Sequence, residues 1–400
     1  MQNVVNAAKP PNPFNSSSPI DPSDFAGRIK ELENFSQKLR QTTSGSLASM
    51  AVAGGYGIGK TSFLHKCKSI AQEQRALTIY FSLNELDKLD RESLASILIA
   101  RIRDKVEEEV ILQRLSRKVL DIISRIKIKT LQDIEISLTQ SNKEEHPSLQ
   151  SALTASWKAI SSSHSAIVFL IDEAAVLEKN RADLILYLRA VLEQLQIEKV
   201  PVMIVPAGKL SISGPSGTGF SPLVRTFPPV MLENFSQIEA NYFIEKKLKP
   251  LGISIDENAL KKIYNLTEGH PYVLTAYMNA VYDKLQGEEE KITEAHLKAT
   301  DVEFVSTILA PFFSRFYDQA GKTSKEILSL MSTQKGESTI SEMCKHLKKE
   351  NNELSPHLAK LVQDGAIIRV DRGKYKLFHG LLATYITSTA IQGIFQTLKK

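Results

Sequence analysis

A glycine-rich stretch at residues 53–62 has the residue types and spacing that bind phosphate. It fits the pattern G-x-x-x-x-G-K-S/T without a mismatch, from Gly54 to Thr61. Glycines let the backbone turn its N–H groups inward, and the positive end of the following helix adds to the attraction for an anion. In this pattern Lys60 reaches the outer phosphates of a nucleotide, and the hydroxyl of Thr61 is a ligand of Mg²⁺. With ATP and Mg²⁺ as the expected ligands, the predicted binding residues of the loop are Gly54, Gly55, Tyr56, Gly57, Ile58, Gly59, Lys60, Thr61 and Ser62.

A second chemical signal is an acidic pair at the end of an apolar stretch. Residues 166–171 have the composition of a strand buried on both faces, and Asp172 and Glu173 follow it. The carboxyl ends of strands are the places where open parallel sheets bind ligands. We predict that Asp172 holds Mg²⁺ together with Thr61, mostly through water, and that Glu173 polarises the attacking water. Lys60 and Glu173 are therefore the predicted catalytic residues.

The surrounding elements predict a parallel α/β sheet that positions these residues. Residues 47–52 form an apolar strand before the loop, and residues 62–70 have helical spacing after it. Residues 77–83 and 200–205 are rich in β-branched and apolar side chains and are predicted to be further buried strands. Residues 126–138 alternate apolar and polar side chains, which predicts a small inserted hairpin. The sequence does not indicate a function for it.

The segment after the strand at 200–205 leaves two roles open. Many related ATPases place a small polar residue there that senses the γ-phosphate, but no such side chain appears before Lys209 or Ser211. The γ-phosphate sensor therefore stays unassigned. Further on, Arg225 is either an arginine finger that acts on a neighbouring subunit's nucleotide or an ordinary surface arginine.

Composition indicates an ordinary globular protein with room for two or three cores. The chain has 400 residues, of which 42% are hydrophobic and 24% charged. Cys67 and Cys344 are far apart and have no metal-ligand spacing near them, so a disulfide framework and a zinc site are not supported. No stretch has the length of a membrane span and no signal peptide is recognisable, so we expect a cytoplasmic location and no membrane partner. The net charge of +5 only mildly favours an acidic partner.

The regions on either side of this core have distinct patterns. Residues 1–24 are rich in Pro, Asn and Ser and predict an extended or disordered strap. Helical patterns at 235–248 and 257–266 are followed by a Gly269-His270-Pro271 break, after which Pro271 begins another helix. These helices predict a small lid domain.

The last hundred residues have the order of a winged helix-turn-helix. Helical patterns at 324–331, 340–349 and 354–364 precede a hairpin formed by residues 366–370 and 374–378. A helix of this kind fits the DNA major groove and the wing meets phosphate. The possible DNA contacts are Lys360, Arg369, Arg372, Lys374 and Lys376. The alternative is that this domain packs only on its own nucleotide domain or on a protein partner.

The combined motifs resemble the archaeal-type ATPases of the STAND branch of the AAA+ proteins. The resemblance covers about residues 12–386. It rests on the phosphate loop, the acidic pair, the Gly-His-Pro turn, the terminal winged helix, and the segments Asn12-Pro13-Phe14 and Phe25-Ala26-Gly27-Arg28. It implies that Phe25, Gly27 and Arg28 line the adenine pocket and that His270 and Pro271 contact the nucleotide. Origin-recognition initiators share this layout. The lack of a recognisable sensor departs from both groups and predicts slow hydrolysis.

We therefore predict a P-loop α/β domain with a parallel sheet, followed by a small helical lid and a winged helix-turn-helix domain. The expected boundaries are 1–24 for the strap, 25–228 for the ATPase core, 229–300 for the lid and 301–400 for the winged helix. The expected function is Mg²⁺-dependent ATP binding with slow hydrolysis that acts as a conformational switch on the winged helix. The alternatives are a DNA-binding initiator or loader, and a signalling scaffold with little turnover. Expected partners are nucleotide, duplex DNA, and a nucleotide-dependent oligomer or protein.

Overall fold

The computed structural model describes residues 10–83, 89–112, 148–179, 182–210, 222–285, 290–334 and 336–398. It divides into two compact units. The core unit comprises Pro19–Gly55 and Gly59–Glu233, and the C-terminal unit comprises Met1–Ser18, Tyr56–Ile58 and Asn234–Lys400. Among the described residues, no helix has both the length and the apolar character needed to cross a membrane. The predicted hairpin at 126–138 lies outside the described residues.

The core unit is built on a parallel sheet of five strands in the order β2-β3-β4-β1-β5. Every residue of β3 and β4 is buried, as expected for parallel strands covered on both faces. Because the strands are parallel, their carboxyl ends lie at the same edge of the sheet. The strands are β1 (Ala51–Gly54), β2 (Leu77–Ser82), β3 (Ile167–Asp172), β4 (Val202–Gly208) and β5 (Pro229–Leu232).

Helices accompany this sheet and share its apolar core. Alternate strand residues such as Ile167, Phe169 and Ile171 are buried in one cluster with apolar side chains of the helices. The helices of the described part of the core unit are α1 (Ile29–Thr43), α2 (Lys60–Glu73), α3 (Arg91–Leu112), α4 (Leu149–Ile160), α5 (Val176–Lys179), α6 (Ala182–Ile197) and α7 (Pro222–Thr226).

The C-terminal unit begins its regular structure with a group of helices. The first of them, α8, starts at a capping box in which the Ser236 hydroxyl accepts from the backbone N–H of Glu239 and the Glu239 carboxylate accepts in return from that of Ser236. The helices are α8 (Gln237–Leu248), α9 (Glu257–Thr267), α10 (Pro271–Asp283), α11 (Glu294–Glu303) and α12 (Ala310–Tyr317). A two-stranded parallel pair, β6 (Ser254–Ile255) with β7 (Lys291–Ile292), and a π-helical turn at Phe304–Ile308 complete this region.

Residues 10–18 pack against α10 and α8 although they form no helix or strand. The side-chain amide of Asn12 donates to the carbonyl of Asn279 at 2.9 Å and to the carboxylate of Asp283 at 2.8 Å. Phe14 is 1% exposed, and its ring lies 6.0 Å from that of Phe243. The Tyr282 hydroxyl donates to the carbonyl of Pro10 at 2.9 Å. This segment is therefore fixed by both hydrogen bonds and apolar burial.

The remaining elements are helices and a small antiparallel sheet with the strand order β8-β10-β9. Helix α14 begins at a capping box between Thr339 and Glu342, and α15 ends at Gly365 with φ of 86°. The elements are α13 (Lys322–Thr333), β8 (Ser338–Thr339), α14 (Ile340–Leu347), α15 (Asn351–Asp364), β9 (Ile367–Asp371), β10 (Lys374–Leu377) and α16 (Gly380–Leu398).

Strand pairing accounts for two differences between the structure and the sequence prediction. β4 continues through Pro206 to Gly208, where Ala207 and Gly208 pair with Val52 and Ala53 of β1. β5 is not among the predicted strands and begins at Pro229, the second of two consecutive prolines, yet it pairs in parallel with β1 over its whole length. The core unit, which includes β5, extends to Glu233.

Candidate nucleotide-binding site

The phosphate loop connects the carboxyl end of β1 to the start of α2. Gly59 precedes α2 with φ of 92°, so the N-terminal N–H groups of the helix follow the loop directly. The Lys60 ammonium donates to the carbonyls of Gly55 at 2.8 Å and Gly54 at 3.3 Å. A lysine held over the loop in this way is placed to exchange carbonyl oxygens for phosphate oxygens.

Thr61 and Asp172 are separated by over one hundred residues in the sequence but meet in the fold. The Thr61 hydroxyl donates to Asp172 Oδ2 at 2.7 Å. The strands that carry Gly54 and Asp172 flank β4, so both end at the same edge of the sheet. Asp172 is 4% exposed, and its Oδ1 accepts from the backbone N–H of Glu173 at 2.9 Å. The structure thus brings together a hydroxyl and a carboxylate, which are oxygen donors of the kind Mg²⁺ prefers.

Glu173 lies directly after this carboxylate with an exposed side chain. Its backbone is left-handed, with φ of 50°, which is uncommon for a residue with a Cβ. Ala174 follows in a tight turn, and its N–H donates to the carbonyl of Ala207 in β4 at 2.8 Å. The turn therefore ends β3 abruptly and leaves the Glu173 side chain accessible, as a group that contacts a water or substrate must be.

Tyr80 contacts Asp172 and His65 packs against Tyr80, and sequence reasoning missed both. The Tyr80 hydroxyl donates to Asp172 Oδ2 at 3.1 Å. Burial and the neighbouring Asp172 raise the pKa of Tyr80, so the phenol stays protonated and acts as a donor. The His65 ring lies edge-on to the Tyr80 ring at 4.8 Å, and burial followed by Lys68 lowers the pKa of His65. The available signal was a tyrosine near the end of the strand predicted at 77–83.

The segment predicted to line the adenine pocket has an unusual backbone. Gly27 and Arg28 both have positive φ, at 73° and 60°, and helix α1 begins immediately afterwards. Arg28 is buried, and its guanidinium donates to the carbonyl of Glu233. The Phe25 ring lies 6.3 Å from the ring of Phe63 in α2. The structure therefore places Phe25 beside the helix that follows the phosphate loop, and Arg28 against the end of the core unit.

Residues 56–58 of the phosphate loop belong to the C-terminal unit, where they form hydrogen bonds with His270 and Tyr272. The carbonyl of Gly57 accepts from the backbone N–H of Tyr272 at 3.1 Å. The carbonyl of Tyr56 lies 3.1 Å from His270 Nε2. His270 is also the N-cap of α10, with its Nδ1 accepting from the N–H of Val273 at 3.5 Å, and Pro271 is the first residue of that helix. Because Nδ1 is the acceptor, Nε2 carries the proton and donates to Tyr56.

An arginine and two phenylalanines surround the Tyr56 side chain. The guanidinium carbon of Arg315 lies 3.5 Å from the centre of the Tyr56 ring, within the range of a cation–π interaction. The rings of Phe312 and Phe316 lie 5.6 Å and 6.3 Å from it. Arg315 and both phenylalanines come from α12, a helix that the sequence motifs did not implicate.

The other predicted residues are carried by other elements of the two units. Arg225 is exposed on α7 in the core unit. Five basic residues predicted to contact DNA are all exposed: Lys360, Arg369, Arg372, Lys374 and Lys376. Lys376 also lines a cavity of about 760 Å³ bounded by parts of α13, β10 and α16. No phosphate-loop residue lines that cavity, so it has no part in the candidate nucleotide site.

Comparison with known proteins supports the interpretation of the core unit. No curated protein matches the sequence. A Walker-type ATPase of Pyrococcus abyssi has a similar structure, with a TM-score of 0.59 and 16% identity over 93% of this chain and 99% of that one. The ORC2 protein of Aeropyrum pernix, solved as ADPNP-ADP complexes, has a TM-score of 0.53 and 11% identity over 95% and 98%. Both likenesses show the fold alone. Residues 28–205 match the model of the KAP family P-loop domain, and the observed parallel sheet and phosphate loop are consistent with that match.

Proposed function

We propose that this protein binds ATP with Mg²⁺ and hydrolyses it slowly. The observation that carries the proposal is the 2.7 Å hydrogen bond from Thr61 Oγ1 to Asp172 Oδ2, directly after the phosphate loop. The two residues come from separate motifs, and the sequence alone shows only that one motif precedes the other along the chain. Their meeting at one sheet edge is what a nucleotide site with a divalent cation requires.

The donors at this point fit Mg²⁺. The Thr61 hydroxyl donates a hydrogen bond to Asp172 and keeps its oxygen lone pairs for a cation, while the buried Asp172 carboxylate supplies negative charge beside it. Thr61 and Asp172 would hold the ion. When bound, Mg²⁺ neutralises charge that develops on the phosphate oxygens.

The roles of the chain's own residues follow from their positions. Lys60 exchanges the carbonyls of Gly54 and Gly55 for the outer phosphates and lowers the cost of bringing charge into the loop. Glu173, exposed next to Asp172, orients the attacking water and accepts its proton. The sequence has no small polar side chain before Lys209 at the end of β4, where related ATPases place a γ-phosphate sensor, and this is the basis for expecting slow turnover.

We further propose that the chain is an archaeal-type ATPase of the STAND and AAA+ group with a terminal winged helix. The order α13, β8, α14, α15, β9, β10 is the one expected for a winged helix-turn-helix. In that reading Phe25, Gly27 and Arg28 contribute to the adenine pocket, and His270 and Pro271 contribute through the lid. The nucleotide state would then bias the arrangement of the winged helix. Identical hydrogen exchange of residues 322–398 with ATP, ADP and no nucleotide would exclude the switch.

The central experiment separates binding from hydrolysis. We expect the wild type to bind ATP more tightly with Mg²⁺ than with EDTA and to release phosphate. Lys60→Ala should weaken ATP binding, whereas Glu173→Gln should keep binding and lower phosphate release by about 10²- to 10⁴-fold, the range for loss of a general base. Equal phosphate release by Glu173→Gln and wild type would remove Glu173 from the mechanism. Absence of ATP binding by the wild type would refute the proposal.

A second candidate function is binding of duplex DNA through the winged helix. The observation that favours it is the exposure of Arg369, Arg372, Lys374 and Lys376 around the β9–β10 turn. Backbone contacts from such residues predict salt-dependent affinity that varies little with DNA sequence. If duplex binding is undetectable at low salt, the alternative of a protein-binding or scaffold role for this domain is favoured.

A further inference from the structure

The hydroxyl of Tyr80 lies at the carboxylate proposed to hold the metal. We propose that Tyr80 is a positioning residue for the cation: its hydroxyl fixes the Asp172 carboxylate in the orientation that receives Mg²⁺. This inference rests on the proposed function, because it assigns a role within the same site. It adds a residue that belongs to neither of the sequence motifs.

The hydrogen bonds around Asp172 account for both of its oxygens. Oδ2 accepts from Thr61 Oγ1 at 2.7 Å and from Tyr80 at 3.1 Å, and Oδ1 accepts from the N–H of Glu173 at 2.9 Å. Rotation of a carboxylate about its last side-chain bond is otherwise broad. Donors on both oxygens restrict that rotation. Since Asp172 is buried, water has little access to compete for them.

Unlike the other two donors, Tyr80 is neither a proposed metal ligand nor part of the turn that follows β3. The Thr61 hydroxyl is proposed to bind the cation itself, and the Glu173 N–H is fixed by the turn that follows β3. The Tyr80 hydroxyl is therefore the one of the three whose removal alters the setting of Asp172 without removing a metal ligand or changing the backbone. Outer-sphere partners of this kind affect metal affinity strongly.

The surroundings of Tyr80 hold its ring in place. Tyr80 lies opposite Leu170 in the parallel pairing of β2 with β3, and Ser82 lies opposite Asp172. Its side chain thus reaches diagonally along the neighbouring strand to the carboxylate. The His65 ring from α2 packs edge-on against it at 4.8 Å with an interplanar angle of 85°. A phenylalanine at position 80 would keep this packing and lose only the hydroxyl.

The test compares Tyr80→Phe with wild type in ATP binding measured by calorimetry, first in EDTA and then over a series of Mg²⁺ concentrations. Affinity in EDTA should stay within about twofold, because the loop and Lys60 are unchanged. The Mg²⁺ concentration that gives half of the affinity gain should rise on the order of tenfold. Tyr187→Phe, which alters another half-buried tyrosine of the core unit, is the matched control and should leave both quantities unchanged.

The outcomes distinguish this inference from the proposed function. A Mg²⁺ requirement of Tyr80→Phe within twofold of wild type would overturn the role of Tyr80 alone. A wild type whose ATP affinity does not respond to Mg²⁺ would overturn the role of Tyr80 and the proposed function together. If Tyr80→Phe loses ATP binding in EDTA, Tyr80→Met, which also lacks the hydroxyl, is measured in its place. Its Mg²⁺ requirement must rise in the same way for the inference to stand.

Discussion

Replacing Gly57 by alanine tests how residues 56–58 are held in the C-terminal unit. Gly57 has φ of 73°, and an added Cβ would lie 2.9 Å from His270 Cε1, 2.9 Å from Tyr272 Cβ and 3.4 Å from Phe312 Cε2. The first two distances are shorter than carbon atoms tolerate. Alanine therefore adds a collision to the unfavourable backbone conformation, and the destabilisation should exceed the backbone cost alone.

The backbone part of the cost can be isolated with a matched glycine. Gly252 lies in the same unit with φ of 72°, and none of the described residues comes within 4 Å of a Cβ added there. A left-handed residue other than glycine costs about 1–2 kcal/mol, and the reduced freedom of the unfolded chain returns about 0.4–1 kcal/mol. Gly252→Ala should thus cost about 1 kcal/mol. Overpacking typically adds about 1–3 kcal/mol, so Gly57→Ala should cost about 2–4 kcal/mol.

Urea denaturation of the full chain, followed by far-UV circular dichroism, measures both variants. Trp157 is the only tryptophan and lies in α4, so its fluorescence reports the core unit separately. The larger loss for Gly57→Ala should appear in the transition of the C-terminal unit. If the two variants were equally destabilised, within about 0.5 kcal/mol, the packing of Tyr272 and His270 against Gly57 would not be as the structure has it.

Three further measurements follow from the C-terminal unit. Phe14→Ala should destabilise this unit by about 3–5 kcal/mol because the ring is fully buried, and Phe14→Leu should destabilise it less. Equal stability of Phe14→Ala and wild type would show that residues 10–18 are not fixed. Burial lowers the pKa of His379 below its usual 6.5, and Glu268 has a smaller opposing effect. The neutral ring therefore stabilises the fold above pH 6.5. That contribution is lost as the pH falls through 6.5 and the folded-state pKa. The urea midpoint of this unit should therefore decrease on acidification, and His379→Gln should flatten the dependence; an unchanged slope would assign it to other groups. The pair of substitutions Lys374→Ala and Lys376→Ala should weaken duplex affinity equally for unrelated sequences and reduce its salt dependence, whereas a sequence-selective loss would contradict a phosphate-contacting wing.

The phosphate loop and the acidic pair could be predicted from sequence because each is defined by consecutive residues. The pattern runs from Gly54, the last residue of β1, to Thr61 in the first turn of α2, and Asp172 with Glu173 ends a single apolar stretch. Local composition is enough to place such residues at the carboxyl ends of strands. The parallel α/β sheet was predictable for the same reason.

Features that depend on strand pairing could not be predicted in this way. β5 has only four residues and begins at the second of two consecutive prolines, so its strand conformation depends on its pairing with β1. Pro206 lacks an N–H and indicates the end of a strand in the sequence, yet β4 continues past it because β1 pairs with Ala207 and Gly208. The contact of Tyr80 with Asp172 likewise requires the register of β2 against β3, which a single sequence does not contain.

The three residues of the Gly269-His270-Pro271 turn have different roles in the fold. Gly269 has a structural reason: its φ is 66°, and a Cβ there would lie 2.1 Å from the carbonyl oxygen of Phe235. Pro271 also has one, since it begins α10 where its missing N–H costs little. The His270 side chain caps α10, and its Nε2 lies 3.1 Å from the carbonyl oxygen of Tyr56. A role of His270 in nucleotide binding would then act through the backbone of the phosphate loop at Tyr56, and its loss should change the conformation of residues 56–58 as well as ATP affinity.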